Sequence, residues 1–304
     1  MPKAKVNGVT LHYQRFGKGP DVVLLHGLTA NLAFWHPPIV TGLAADYSVT
    51  LMDFRGHGRS DTTPAGYTTR DWALDVNALL DHLEIRRAVV IGHSYGGAVA
   101  LHLSVLDPAR AAGLVLADAR VRSLQPVHGL AEWEQWPAIR ERLAVHDIHI
   151  PTAVLQGEFG LFDELARLRL AGALDGVDLR PYFVPFSTGS RRAAERWQRL
   201  VGETIAREEF TQVAGLTPEA ISAVRPPVLA VMGEFSHCWP TQRGLAGLLP
   251  ACATVSVAGV GHFHPILKPA ALLAHTRTFL GQIEPWGPGD AAPVGPGEVR
   301  RLGH

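Results

Sequence analysis

Two cysteines in 304 residues, Cys238 and Cys252, are too few for a disulfide framework, and they predict a fold that stands on its own core in a reducing compartment. No apolar run approaches the roughly 18 residues of a membrane span. No apolar segment follows Met1-Pro2-Lys3-Ala4-Lys5, so no signal peptide is expected. Charge of neither sign predominates: Lys plus Arg and Asp plus Glu number 28 each, with no dense block of either. That balance argues against nucleic acid or an anionic membrane surface as a partner. The expectation is a soluble, cytoplasmic globular protein. The sequence specifies no oligomeric state.

What is present is an alternation of strand-like and helix-like segments. Asn7-Gly8 predicts a tight turn in a hairpin over 4–16, with Val9, Leu11 and Tyr13 alternating beyond it. Apolar runs at 22–25, 49–52, 88–91, 114–117, 228–232 and 254–257 do not alternate, the pattern of parallel strands covered on both faces. Between them, Trp72, Val76, Leu79, Leu80 and Leu83 predict a helix over 71–83, capped by Thr68 or Thr69. A small-residue helix over 94–106 is stopped by Pro108. The alternation breaks over about 121–225, which reads as mostly helical. There Ser190 caps a helix whose Ala193, Trp197, Leu200, Val201 and Ile205 share a face, and the aromatics include Trp133, Trp136, Phe159, Phe162, Tyr182, Phe183 and Phe186. Strand-like runs resume after Pro226-Pro227, so this stretch is an insertion rather than a second sequential domain. The Pro/Gly-rich residues 283–304 predict a flexible tail.

The chemistry concentrates at Gly92-His93-Ser94-Tyr95-Gly96, placed between an apolar run and the small-residue stretch Gly97-Ala98-Val99-Ala100. This is the sequence form of a nucleophile elbow, in which a strand turns sharply into a helix and presents a serine hydroxyl above the sheet edge. Three further segments accompany it in order. His26-Gly27-Leu28 follows one strand and Asp53-Phe54-Arg55-Gly56-His57-Gly58-Arg59-Ser60 the next, while Gly259-Val260-Gly261-His262-Phe263 follows the last. With these four features, residues 4–282 resemble the α/β-hydrolase superfamily. The resemblance implies one α/β domain over 1–282, a mostly parallel sheet of about eight strands flanked by helices, and a helical cap inserted at about 122–225.

It also implies roles. Ser94 is the expected nucleophile and His262 the base that its poorly acidic hydroxyl needs. Backbone N–H groups of Leu28 and Tyr95 are the expected oxyanion donors. Asp53, Arg55 and His57 are expected to stabilise a turn, and His264 to pack beside the site. The family's acid follows the seventh strand in a G-x-x-D pattern, but here Gly233-Glu234-Phe235-Ser236 puts a serine in its place. A neutral serine cannot balance an imidazolium. Asp118, just past the sixth strand, is therefore the expected acid, with Glu234 as its rival and a Ser94–His262 dyad as the third option; Asp118 would otherwise order the start of the cap by pairing with Arg120 or Arg122. His26, Trp35, His93 and Trp239 are candidate pocket-lining residues. His262-x-His264 lacks a third ligand at a helpful spacing, so no metal and no cofactor are expected.

The expected activity is that of a cofactor-independent serine hydrolase cleaving a carboxylic ester, lactone or thioester of a largely apolar small molecule. An acyltransferase or cyclising enzyme, a cofactor-free oxygenase of the same fold, and a non-catalytic ligand-binding protein are the alternatives. Haloalkane dehalogenase and epoxide hydrolase chemistry would require an aspartate at position 94.

Overall fold

The computed structural model describes residues 2–126, 133–179, 182, 186, 191–283 and 286. β1 (Lys3–Val6) and β2 (Val9–Phe16) form the predicted hairpin, with Asn7 and Gly8 both at positive φ (48° and 74°), as a twisted two-residue turn requires. There follow β3 (Asp21–Leu25), a short 3-10 turn at Leu32–Trp35, α1 (Pro38–Ala44), β4 (Ser48–Met52), α2 (Thr69–His82), β5 (Ala88–His93), α3 (Tyr95–Leu106) and β6 (Ala111–Ala117). Between β6 and the next strand the described residues form α4 (Trp136–Ala144), α5 (Thr152–Gln156), α6 (Gly160–Leu170), α7 (Arg191–Glu203), α8 (Ala206–Phe210) and α9 (Pro218–Ser222). The chain ends with β7 (Val228–Gly233), α10 (Trp239–Leu248), β8 (Cys252–Val257), α11 (His264–Leu267) and α12 (Pro269–Leu280).

The eight strands lie in the order β1-β2-β4-β3-β5-β6-β7-β8. The pairs at the β1 edge are antiparallel, and every pair from β4 to β8 is parallel. The non-alternating apolar runs now have a physical reason: alternate residues of one strand enter different cores. Val23 and Leu25 pack on one face with α2, α3 and the aromatics Phe159, Trp197 and Phe210 of the inserted helices. Val22 and Leu24 pack on the other with residues of α1 and α12.

Register places the chemistry. Leu25 pairs with Gly92, His93 with Ala117, and Ala117 with Val231, so the carboxyl ends of β3, β5, β6 and β7 finish side by side. The loops carrying Leu28, Ser94, Asp118 and Ser236 therefore converge outside one sheet edge, where ligands bind in open parallel sheets. A Cβ at Gly96 would lie 2.4 Å from the His26 carbonyl oxygen, so glycine there lets α3 close against the β3 loop.

Of the two caps expected for α2, Thr68 is the one used. Other expectations need correction. Ala194, Trp197 and Leu200 are buried on α7, but the helix ends at Glu203 and Ile205 is 50% exposed, so Ile205 does not extend that face. The tail prediction fails at Trp286, which is buried, stacks on Tyr47 with ring centroids 5.9 Å apart, and donates through Nε1 to the Asp21 carbonyl. Ser190, Phe183, 284–285 and 287–304 lie outside the described residues. Among the described residues no helix is long and apolar enough to cross a membrane.

Candidate active site

Ser94 sits between β5 and α3 with φ 54° and ψ −120°, a backbone conformation that a non-glycine residue keeps only where its surroundings enforce it. Its N–H donates to the Ala117 carbonyl at 3.1 Å, and its carbonyl accepts from Gly97 N at 3.0 Å and Arg120 N at 3.2 Å. The strained turn is thus pinned to the end of β6. Ser94 opens on a cavity of about 260 Å³ whose walls include Leu28, Phe34, Phe159, Phe162, Phe210 and His262. Ser94 and His262 line this space without a hydrogen bond joining them, and such pairs commonly tighten only around substrate.

His262, in the loop after β8, is buried, and its Nδ1 lies 3.3 Å from Asp118 Oδ1. Asp118 is fully buried at φ 52°, and its N–H is tied to the Val231 carbonyl at 2.8 Å. Its Oδ2 accepts from Gly233 N at 2.7 Å, and its Oδ1 accepts from the Ser236 hydroxyl, which itself accepts from Cys238 N at 3.0 Å. Ser236, at the position where the resemblance led an acid to be expected, is therefore a hydrogen-bond donor to the carboxylate facing His262. His264 Nε2 approaches both Asp118 Oδ2, at 3.4 Å, and the Val231 carbonyl, at 3.2 Å. Burial holds the His264 imidazole below its ordinary pKa although Asp118 opposes this. Glu234 is exposed, and its carboxylate accepts from Gly259 N at 2.7 Å. Of the two candidate acids, only Asp118 contacts the His262 ring.

The loop after β3 is braced by the Asp53–Ser60 segment. Thr29 N donates to His57 Nε2 at 3.2 Å and Leu32 N to Asp53 Oδ1 at 2.8 Å. The other Asp53 oxygen takes His12 Nδ1 at 2.7 Å and Arg59 N at 2.8 Å. Burial pushes His57 down to about 3 and also lowers His26, so both rings are neutral at pH 7, as their acceptor roles require. Between these anchors the Leu28 N–H, like the Tyr95 N–H across the cavity, makes no hydrogen bond among the described residues.

Of the four candidate lining residues, only His93 lines the cavity. It stacks on Phe34 at 4.5 Å and donates through Nε2 to the His262 carbonyl at 3.0 Å. Burial beside His262 keeps it well below the usual histidine range. His26 lies beneath the loop, accepting from Phe54 N at 3.2 Å. Trp35 is 1% exposed in the core, and its neighbour Phe34 faces the cavity instead. Trp239 starts α10 and donates to the Glu234 carbonyl at 3.0 Å, away from the cavity.

Other features escaped the sequence reading. Arg120 and Glu158 both line the cavity and pair at 2.7 Å, while Arg122 takes the second Glu158 oxygen, also at 2.7 Å. Neither arginine pairs with Asp118. His237, Cys238 and His262 present ligand atoms that all lie within 4.8 Å of one another, a soft-donor set that could hold a metal ion. The Cys238 thiol is buried and raised well above its ordinary value, first by burial and then by Asp118, so it is a thiol rather than a thiolate at neutral pH.

A mostly parallel sheet of eight strands, a strained serine at a strand-to-helix turn, and a buried His–Asp pair beside it define the α/β-hydrolase class. The chain belongs to the alpha/beta hydrolase fold family, whose model matches residues 20–269. It is 42% identical over 288 residues to a Variovorax paradoxus protein designated a candidate carbamate hydrolase, RutD, a match covering 90% of this chain and 97% of that one. Among solved structures it resembles the enol-lactonase of Burkholderia xenovorans (TM-score 0.66, 22% identity, 92% and 100% coverage). It also resembles a thermophilic esterase of Thermogutta terrifontis (TM-score 0.65, 22% identity, 92% and 98% coverage). At this identity the two likenesses speak to the fold. The curated relative supports the coarser functional statement that the protein is a hydrolase of this family.

Proposed function

We propose that the protein is a cofactor-independent serine hydrolase that cleaves a carboxylic ester, lactone, thioester or carbamate of a small, largely apolar molecule through an acyl-enzyme. The observation that carries this reading is the buried Asp118–His262 contact at 3.3 Å, its imidazole lining the same cavity as a serine in a strained turn. Ser94 Oγ attacks the carbonyl carbon while His262 Nε2 takes the hydroxyl proton. Asp118 accepts the Nδ1–H bond, fixes the tautomer and balances the imidazolium. The carbonyl oxygen becomes an oxyanion, met by the Leu28 and Tyr95 N–H groups. Collapse breaks the bond to the leaving group, which receives the proton from His262. Water then attacks the acyl carbon as His262 takes its proton. The second collapse frees the acid and returns the proton to Ser94 Oγ. The relative's designation as a candidate carbamate hydrolase is in keeping with this chemistry, since carbamates and esters share the attacked carbonyl.

A fluorophosphonate probe tests the proposal. Wild type is expected to label at neutral pH, Ser94→Ala not at all, and Asp118→Asn at least about a hundredfold more slowly. A wild-type protein that stays unlabelled would overturn the activated serine. Acid product formed from an ester in water alone separates hydrolysis from transfer to an acceptor.

A further inference from the structure

The cavity above Ser94 is lined largely by aromatic and aliphatic side chains, yet one wall carries the charged pair Arg120 and Glu158, with Arg122 bound to Glu158 outside the lining. Two guanidinium groups, Arg120 and Arg122, share the single carboxylate of Glu158, which leaves one positive charge over. Arg120 is the member nearer the chemistry, because its backbone N–H donates to the Ser94 carbonyl and its side chain lines the cavity. Its Nη2 is 3.5 Å from the Gln125 carbonyl, and its Nε, shielded from solvent, has no hydrogen-bond partner. A buried donor left unsatisfied costs free energy unless something else supplies the acceptor. Arginine's fork of N–H groups matches a carboxylate. Glu158 keeps Arg122 through its second oxygen, so an acid arriving at Arg120 would not strand it.

We propose that Arg120 is a specificity-determining residue that binds an acidic group of the substrate, making the preferred substrate an ester whose acyl chain ends in a carboxylate a few bonds from the scissile carbonyl. This deepens the serine-hydrolase reading and rests on it for the position of the scissile bond. The remainder of the cavity, with Phe159, Phe162 and Phe210, accommodates the apolar leaving group. The charge pattern explains why a hydrolase of apolar groups keeps charged residues in so small a cavity.

The test compares the 4-nitrophenyl monoester of glutaric acid with that of glutaramic acid, its neutral isostere. In wild type, kcat/KM is expected to favour the acid by tenfold or more. In Arg120→Met, which leaves Glu158 paired with Arg122 and removes the surplus charge, the ratio is expected to fall to about one; taking the ratio divides out any general loss of activity. Arg120→Lys keeps a cation beside Glu158 and is expected to retain the sign of the preference should Arg120→Met fold poorly. Thermal shift with free glutarate and glutaramide reads binding without chemistry. Glutarate is expected to raise Tm in wild type and not in Arg120→Met. A wild-type ratio of one or less, or a ratio and Tm shift unchanged in Arg120→Met, overturns the proposal. A glutarate shift in a protein that hydrolyses neither ester would sustain the Arg120 site and sink the serine mechanism instead.

Discussion

The Asp118 carboxylate faces His262 and His264 while accepting from Gly233 N and the Ser236 hydroxyl. The donors come from the end of β7 and the turn after it, the position at which the family resemblance led an acid to be expected, so the two candidate acid positions are one hydrogen bond apart. This makes the displacement reversible in principle. Asp118→Asn is expected to lower kcat by about 10³–10⁴, the scale seen when a triad aspartate is made neutral. Adding Ser236→Asp to that variant is expected to recover roughly tenfold or more, because a carboxylate returns within reach of the imidazole. Steady-state kinetics on the three proteins decides it, and a double variant no better than Asp118→Asn would show that position 236 cannot take the role. Ser94 and His262 were legible because their flanking glycines and strands are local signals, and Asp118 because Ser236 left a gap. Arg120 and Glu158 were not, since their meeting depends on how the inserted helices fold back, which no local pattern encodes.

Among elements, the strands were legible for a definite reason. Both faces of the parallel sheet are covered, so each strand is a short continuous apolar run bounded by turn residues. Helix ends were harder, because adjacent residues such as Thr68 and Thr69 offer the same cap. In the structure Thr68 Oγ1 accepts from Asp71 N at 3.2 Å, and Asp71 Oδ2 accepts from Thr68 N at 3.1 Å, a reciprocal capping box. Thr69 has another partner, with its hydroxyl 2.9 Å from His102 Nδ1. Thr68→Ala is accordingly expected to cost about 1 kcal/mol of stability, read as a lower urea midpoint at unchanged m-value. Thr68 lies outside the cavity lining, so the initial rate on a chromogenic ester should stay at the wild-type value. An unaltered urea midpoint would mean that Asp71 or water satisfies the helix start without the threonine.

For the whole molecule, burial of histidine sets the acid limit. His26, His57, His93, His102 and His264 are all held below the ordinary value, chiefly by desolvation, with His57 down to about 3 and His102 to about 4. In the unfolded chain these rings take up protons near pH 6.5. Below that pH the unfolded state binds more protons than the folded one, so the free energy of unfolding falls as pH falls and rises as pH rises. The loss begins near the unfolded value and continues until the folded rings titrate in turn. At pH 5.5 it amounts to roughly 1 kcal/mol for each histidine that stays neutral in the fold. The guanidinium midpoint is therefore expected to drop clearly between pH 7.5 and 5.5. His102→Gln should flatten that dependence by up to one proton, because its ring sits against Thr69 and Ser94 chemistry does not use it. A midpoint that is level or higher at pH 5.5 would mean that these rings are protonated in the folded protein, and the neutral acceptor role of His57 toward the Thr29 N–H would fall with that result.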